Sequence, residues 1–172
     1  MIEPAWCQTM AEYNRWMNGK LYAACADIPD AERKADRKAF FKSIHSTLNH
    51  ILWGDRVWFG RFIERDFGLP GVGVDLYTDF GELRRERQTT DDEIVAWASG
   101  LDSSWLAEQL TWTSKLNRIT RSMPRWVLVT QFFNHQTHHR GQVSTLIAQL
   151  GHDLGPTDLP WLPALNPTQN SG

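Results

Sequence analysis

The 172-residue chain is short of several things at once. Basic charge shows no excess. Lys and Arg number 18 against 20 Asp and Glu, giving a formal net charge of −2 and a pI near 6.3. That balance leaves no electrostatic footprint for nucleic acid. No apolar run approaches the ~18 residues of a membrane span. The opening "MIEPAWCQTM" lacks the basic segment and apolar stretch of a secretory signal. A soluble cytoplasmic protein with no membrane partner is expected. Cysteine is scarce: only Cys7 and Cys25. Both fall on the first predicted helix, roughly 27 Å apart at ~1.5 Å per residue, too far to be bridged. Two reduced, partly buried thiols are expected. Internal repeats and low-complexity segments are also absent.

What the chain does have is aromatic bulk, with nine Trp and eight Phe. Such side chains build a thick core or line a pocket or interface. Periodicity predicts four long helices. The first covers about Pro4 to Asp27, with Trp6, Met10, Tyr13, Met17, Leu21 and Ala24 at three- and four-residue steps, and Pro29 beyond its end. The second covers about Phe40 to Asp66. Its stripe runs from Ile44 to Ile63, and Trp53, Val57 and Trp58 widen it almost all round, so partners are expected on two sides. A Gly-rich connection follows, "FGLPGVGVDLYTDFGE", and its length of about 23 residues suggests a functional loop. The third helix is placed at "TTDDEIVAW", where Thr90 and Glu93 fit a capping box. Residues 111–122 are expected to form a short strand ribbon. The fourth helix runs from Pro124 to about Leu150, closed by Gly151. The fold class is all-α, a four-helix bundle with a short ribbon before its last helix. Residues 1–165 make one domain and 166–172 a loose tail.

The segment "HQTHHRGQ", residues 135–142, holds three of the six histidines. On a helical wheel His139 falls inside the apolar sector and His135 at its edge, while His138 leaves it. Residues four apart on a helix are neighbours, and two imidazoles so placed can hold one metal ion, as in the HExxH helix. Gln136 stands where that motif carries its general base. A catalytic site of this kind takes three protein ligands and leaves a position open. The third ligand must come from another helix, with His45, His50, His152, the cysteines and the carboxylates as choices. His152 lies past the end of the fourth helix. Spacing leaves three readings open: a metal site, hydrogen-bonded core histidines, or a metal-free catalytic base. Among nearby residues, Gln142 is placed to orient an imidazole. Gly141 suggests a close approach by a neighbouring helix. Asp55, on the apolar side of the second helix, needs a partner such as Arg15, Arg56 or Arg61. The run "ERKADRK", residues 32–38, reads as solvated loop or helix start.

Together "HQTHHRGQ", "STLNHILWGDRVWFGRF" (46–62), "YNRWMNGKLY" (13–22) and "DLPWL" (158–162) resemble the DinB/YfiT-like metalloenzyme family across most of the chain. That resemblance implies an up-down-down-up bundle, often a homodimer. It implies a divalent metal, zinc or nickel, held by three histidines, which carry over as His50, His135 and His139. It leaves His45 as a helix-start or surface residue, and His138 as surface or supporting. It further implies a small-molecule substrate and thiol-dependent transferase chemistry with a low-molecular-weight thiol such as bacillithiol, mycothiol or glutathione. A metal-dependent hydrolase, a non-catalytic stress-related binding bundle, or a metal-free helical interaction protein are the alternatives. No catalytic acid or base can be named, because no carboxylate stands at a diagnostic spacing from the histidine pair.

Overall fold

The computed structural model describes residues 1–114 and 117–166. The tail expected over 166–172 lies outside the described residues except for Asn166. Four long helices carry the fold: α1 (Pro4–Ala26), α3 (Ile44–Phe62), α4 (Phe80–Ser99) and α6 (Arg125–Ala148). Short helices α2 (Asp30–Lys34) and α5 (Ser103–Ala107) follow α1 and α4. An antiparallel ribbon of β1 (Gln109–Thr113) and β2 (Thr120–Pro124) precedes α6. Among the described residues no helix is long and apolar enough to cross a membrane.

Helix boundaries follow local chemistry. Pro4 occupies the first turn of α1, where its missing N–H is no loss. The Ser43 hydroxyl accepts from the Ser46 backbone N–H at 3.0 Å and so caps α3. This helix starts four residues later than periodicity predicts, because residues 39–42 close a tight turn in which Ala39 bridges Lys42. The third long helix is the larger correction. It begins at Phe80, not at Thr90, with Asp79 as its cap, accepting from Glu82 N–H at 2.7 Å. Thr90 is buried in mid-helix, its hydroxyl donating to the Glu86 carbonyl. The connection after α3 therefore spans only residues 63–79. At the end of α6, Gly151 takes φ +83°, and His152 N–H reaches back to the Ile147 carbonyl. That is a left-handed helix closure of the kind glycine permits.

Cross-helix contacts give the topology. Trp6 meets Phe133 near one end and Arg140 meets Asn14 in the middle, so α1 and α6 run parallel. Tyr22 stacks on Phe80 while Asn14 bonds Asp91, so α4 runs against α1. His50 faces His139 while Phe62 faces Phe132, so α3 runs against α6. The result is an up-down-down-up bundle.

The core has two apolar layers with a polar layer between them. Leu21, Leu48, Leu52, Leu83, Val143 and Ile147 fill one end. Phe59, Phe62, Ile94, Ala98, Phe132 and Phe133 fill the other. Between them Asp55, 0% exposed, accepts from Gln136 Nε2 at 2.9 Å and pairs with Arg87. Arg87 also pairs with Asp91 at 2.8 Å. Asp91 accepts from Asn14 at 3.1 Å and from Asn18 at 2.9 Å, and Arg140 donates to Asn14. The chain of bonds touches all four long helices. Two buried cations offset two buried anions, and sliding any helix by a turn would strand a charge. The partner of Asp55 is thus Arg87, none of Arg15, Arg56 or Arg61, because residues 80–89 are helix and bring Arg87 inward.

Smaller differences also have causes. Arg33 is buried rather than solvated, donating to the Cys25 carbonyl in the last turn of α1 and to the Ile28 carbonyl just past it. Among the described residues nothing lies within 4 Å of a would-be Cβ at Gly141, so none of the described helices approaches it closely. Cys7 and Cys25 are free and buried.

Candidate metal centre

The centre forms where α3 and α6 face each other. His50, His135 and His139 each turn one ring nitrogen inward, and these three atoms lie within 4.8 Å of one another. His50 Nε2 and His135 Nε2 are 3.2 Å apart. The ring centroids of His135 and His139 are 4.5 Å apart, as expected one helical turn along, and those of His50 and His139 4.6 Å. Among the described residues no carboxylate or thiol joins the group.

Each ring is positioned by named neighbours. Two aromatic rings lie nearly parallel to the His50 imidazole. Phe41 stacks on it at 3.8 Å and 20°, and Trp53 lies at 5.9 Å and 19°. Phe41 belongs to the turn before α3, so that late helix start is what brings its ring over the site. His135 lies against Gly54. A Cβ there would fall inside contact distance of Cε1, 3.1 Å from Nδ1 and 3.3 Å from Nε2 of that ring. Glycine at 54 is what lets the His135 ring occupy this position. His139 Nδ1 lies 2.8 Å from Gln142 Oε1. An amide oxygen only accepts, so Nδ1 carries the proton and the Nε2 lone pair is left free. Gln142 Nε2 in turn reaches the exposed His138 Nε2 at 3.3 Å. His50 Nδ1 and His135 Nδ1 are buried without a partner among the described residues.

The electrostatics favour neutral rings. Burial, then the neighbouring His139 and His135, push His50 down to about 3. Burial also lowers His135, against an opposing pull from the Asp55 carboxylate. Burial lowers His139 as well, against the hydrogen bond to Gln142. A neutral imidazole is the form that binds a metal. Three such rings fit a divalent ion by donor type. The His50 and His135 Nε2 atoms, 3.2 Å apart, are near the roughly 3.3 Å separation implied by tetrahedral Zn–N bonds of ~2.0–2.1 Å, and all three donors lie within 4.8 Å.

The loop over residues 63–79 is tied to this region by α3. His45 Nε2 lies 2.9 Å from the Tyr77 carbonyl, and Asn49 clamps Tyr77 through both its backbone N–H and its carbonyl. His45 starts the helix as expected but is 1% exposed, so it is a loop anchor and not a surface residue. His138 is exposed as expected, and His152 lies beyond α6. Sequence reasoning missed Phe41 and Gly54. The Gly in "LWGDRV" inside a predicted buried helix was the available signal for the second.

A comparison with protein families matches residues 1–170 to the DinB family. The chain is also 21% identical over 150 residues to "Protein DinB" of Bacillus subtilis (strain 168), covering 86% of this chain and 87% of that protein.

Proposed function

The chain belongs to the DinB family, and from that premise we propose that it is a metal-dependent enzyme whose ligands are His50, His135 and His139. The observation that carries the reading is the convergence of three uncharged imidazole nitrogens within 4.8 Å. A divalent ion held there, zinc or nickel, would supply Lewis acidity and lower the pKa of a thiol or water bound at its open position. The rest is the work of this chain's side chains. Phe41 and Trp53 screen the His50 ring from water. Gln142 fixes the His139 tautomer. Gly54 gives the His135 ring its room.

The substrates of this reading are a low-molecular-weight thiol and a small electrophile, in a transferase-type reaction. The thiol must come from outside, because burial pushes Cys7 up to about 11 and Cys25 up to about 12, which keeps both protonated and enclosed. Among the described residues no carboxylate stands with the three rings to act as a base, so ionisation of the thiol depends on the metal. A homodimer in the cytoplasm completes the reading.

The test is turnover. Zinc- and nickel-loaded protein is mixed with bacillithiol, mycothiol or glutathione and monochlorobimane, and release of chloride with formation of the thioether is followed. One thiol should react at least tenfold faster than with metal-free protein or with His135→Ala. Equal rates in all three samples would remove the transferase reading.

A further inference from the structure

The outer face of α3 lines a second space, distinct from the histidine cluster. Trp53, Val57, Trp58 and Arg61 wall one side, Trp112 of β1 another, and Phe67 of the 63–79 loop a third. The cavity measures about 790 Å³, within the range that takes a drug-sized molecule. It explains the apolar width of α3 that the core does not use. Trp58 and Trp112 meet edge to face at 5.5 Å and 69°, forming an aromatic corner. The loop wall is held by Trp53 Nε1, which donates to the Pro70 carbonyl at 2.9 Å.

The charges decide what fits. Three arginines line this space. Arg56 is taken by Glu86 at 2.5 Å, and Arg65 by Glu93. Arg61 has no carboxylate partner among the described residues. Its guanidinium lies 4.4 Å from the centroid of Trp58 and 5.8 Å from that of Trp112, and it is half-buried. A half-buried guanidinium presents a planar fork suited to a carboxylate, and lacks a partner of that kind here. The exposed Glu64 and Asp66 also line the space and disfavour a ligand with several negative charges.

We propose that this groove is a binding site for a small organic monoanion with an apolar or aromatic body. Arg61 holds the carboxylate, and Trp58, Trp112 and Phe67 enclose the body. Trp53 forms part of the groove wall and stacks beside His50, so the two sites share one indole. The binding itself does not require the metal.

Calorimetric titration of the full-length protein tests this with three matched probes: 2-naphthylacetate, 2-naphthaleneethanol and 2-naphthylmethylammonium. The anion should bind at least tenfold more tightly than the alcohol, and the cation weakest. Arg61→Met, checked for an unchanged melting temperature, should bring anion and alcohol within about twofold. Arg61→Gln serves as a second variant if Met disturbs the fold. Trp112→Ala should weaken all three probes, and His135→Ala should leave them unchanged, which separates this site from the histidine cluster. Equal affinity for anion and alcohol, a preference that survives Arg61→Met, or a dimer that closes the groove and admits no probe would each overturn the proposal.

Discussion

Gly54→Ala separates metal binding from folding. A glycine inside a helix disfavours it by about 1 kcal/mol relative to alanine, so the substitution by itself stabilises α3. The new methyl, however, meets the His135 ring, with Nδ1 at 3.1 Å and Nε2 at 3.3 Å from its position and Cε1 closer still. Overpacking of this sort costs about 1–3 kcal/mol. The two effects nearly cancel, leaving a net loss of roughly 0–2 kcal/mol, or a fall of a few degrees in melting temperature. The metal site has no such compensation. His135 must withdraw by several tenths of an ångström, and ligand distances tolerate only about 0.2 Å. Affinity for zinc, measured by competition with a chelator, should fall at least tenfold, about 1.4 kcal/mol. Gly141→Ala is the matched control. Among the described residues nothing surrounds a Cβ at that position, so it should raise stability by about 1 kcal/mol and leave zinc affinity alone. A folded Gly54→Ala protein that binds zinc as tightly as wild type would refute the placement of His135 against α3 as a ligand.

Gln142→Ala removes the acceptor for the His139 Nδ1–H, and metal affinity should drop about 10–100-fold. Gln142→Glu should retain it, and equal affinity in all three proteins would contradict the tautomer argument. Arg87→Met leaves Asp55 and Asp91 without their shared cation. Urea unfolding should show a loss of about 3–5 kcal/mol, and a loss below about 1 kcal/mol would count against the buried layer as drawn. The metal-free protein should also lose stability in acid. An unfolded imidazole titrates near 6.5, whereas burial holds His50 down to about 3. Below pH 6.5 the unfolded chain therefore takes a proton that the folded one refuses, at a cost of up to about 2 kcal/mol at pH 5 for this group. His50→Asn should flatten that slope. The difference between the two proteins isolates the group, because Asp91, raised by burial to about 6, contributes the opposite slope to both. Parallel pH profiles would contradict the burial of His50.

The histidine pair on α6 was readable because an i, i+4 spacing survives any tertiary arrangement. His50 was not readable from periodicity alone. It sits on the flank of α3 beside Phe41 and Trp53, off the apolar stripe; spacing put it ahead of His45, and the family resemblance singled it out. The missing first half of α4 has a related cause. Its inward positions include Arg87, Thr90 and Asp91, so the buried face carries no apolar period to detect. Asn14 and Asn18 blur the stripe of α1 in the same way. A buried polar layer is invisible to a search for hydrophobic repeats, because each of its residues is explained only by a partner on another helix. Gly54 belongs to that class: its role comes from a ring on α6, 81 positions along the chain.

The most direct measurement is the metal content and coordination of purified protein. Mass spectrometry should find about one divalent ion per chain in the wild type and far less in His50→Ala, His135→Ala and His139→Ala. X-ray absorption should show a three-imidazole shell. Wild type and variants that carry the same metal content, or a shell without histidine nitrogen, would contradict the account.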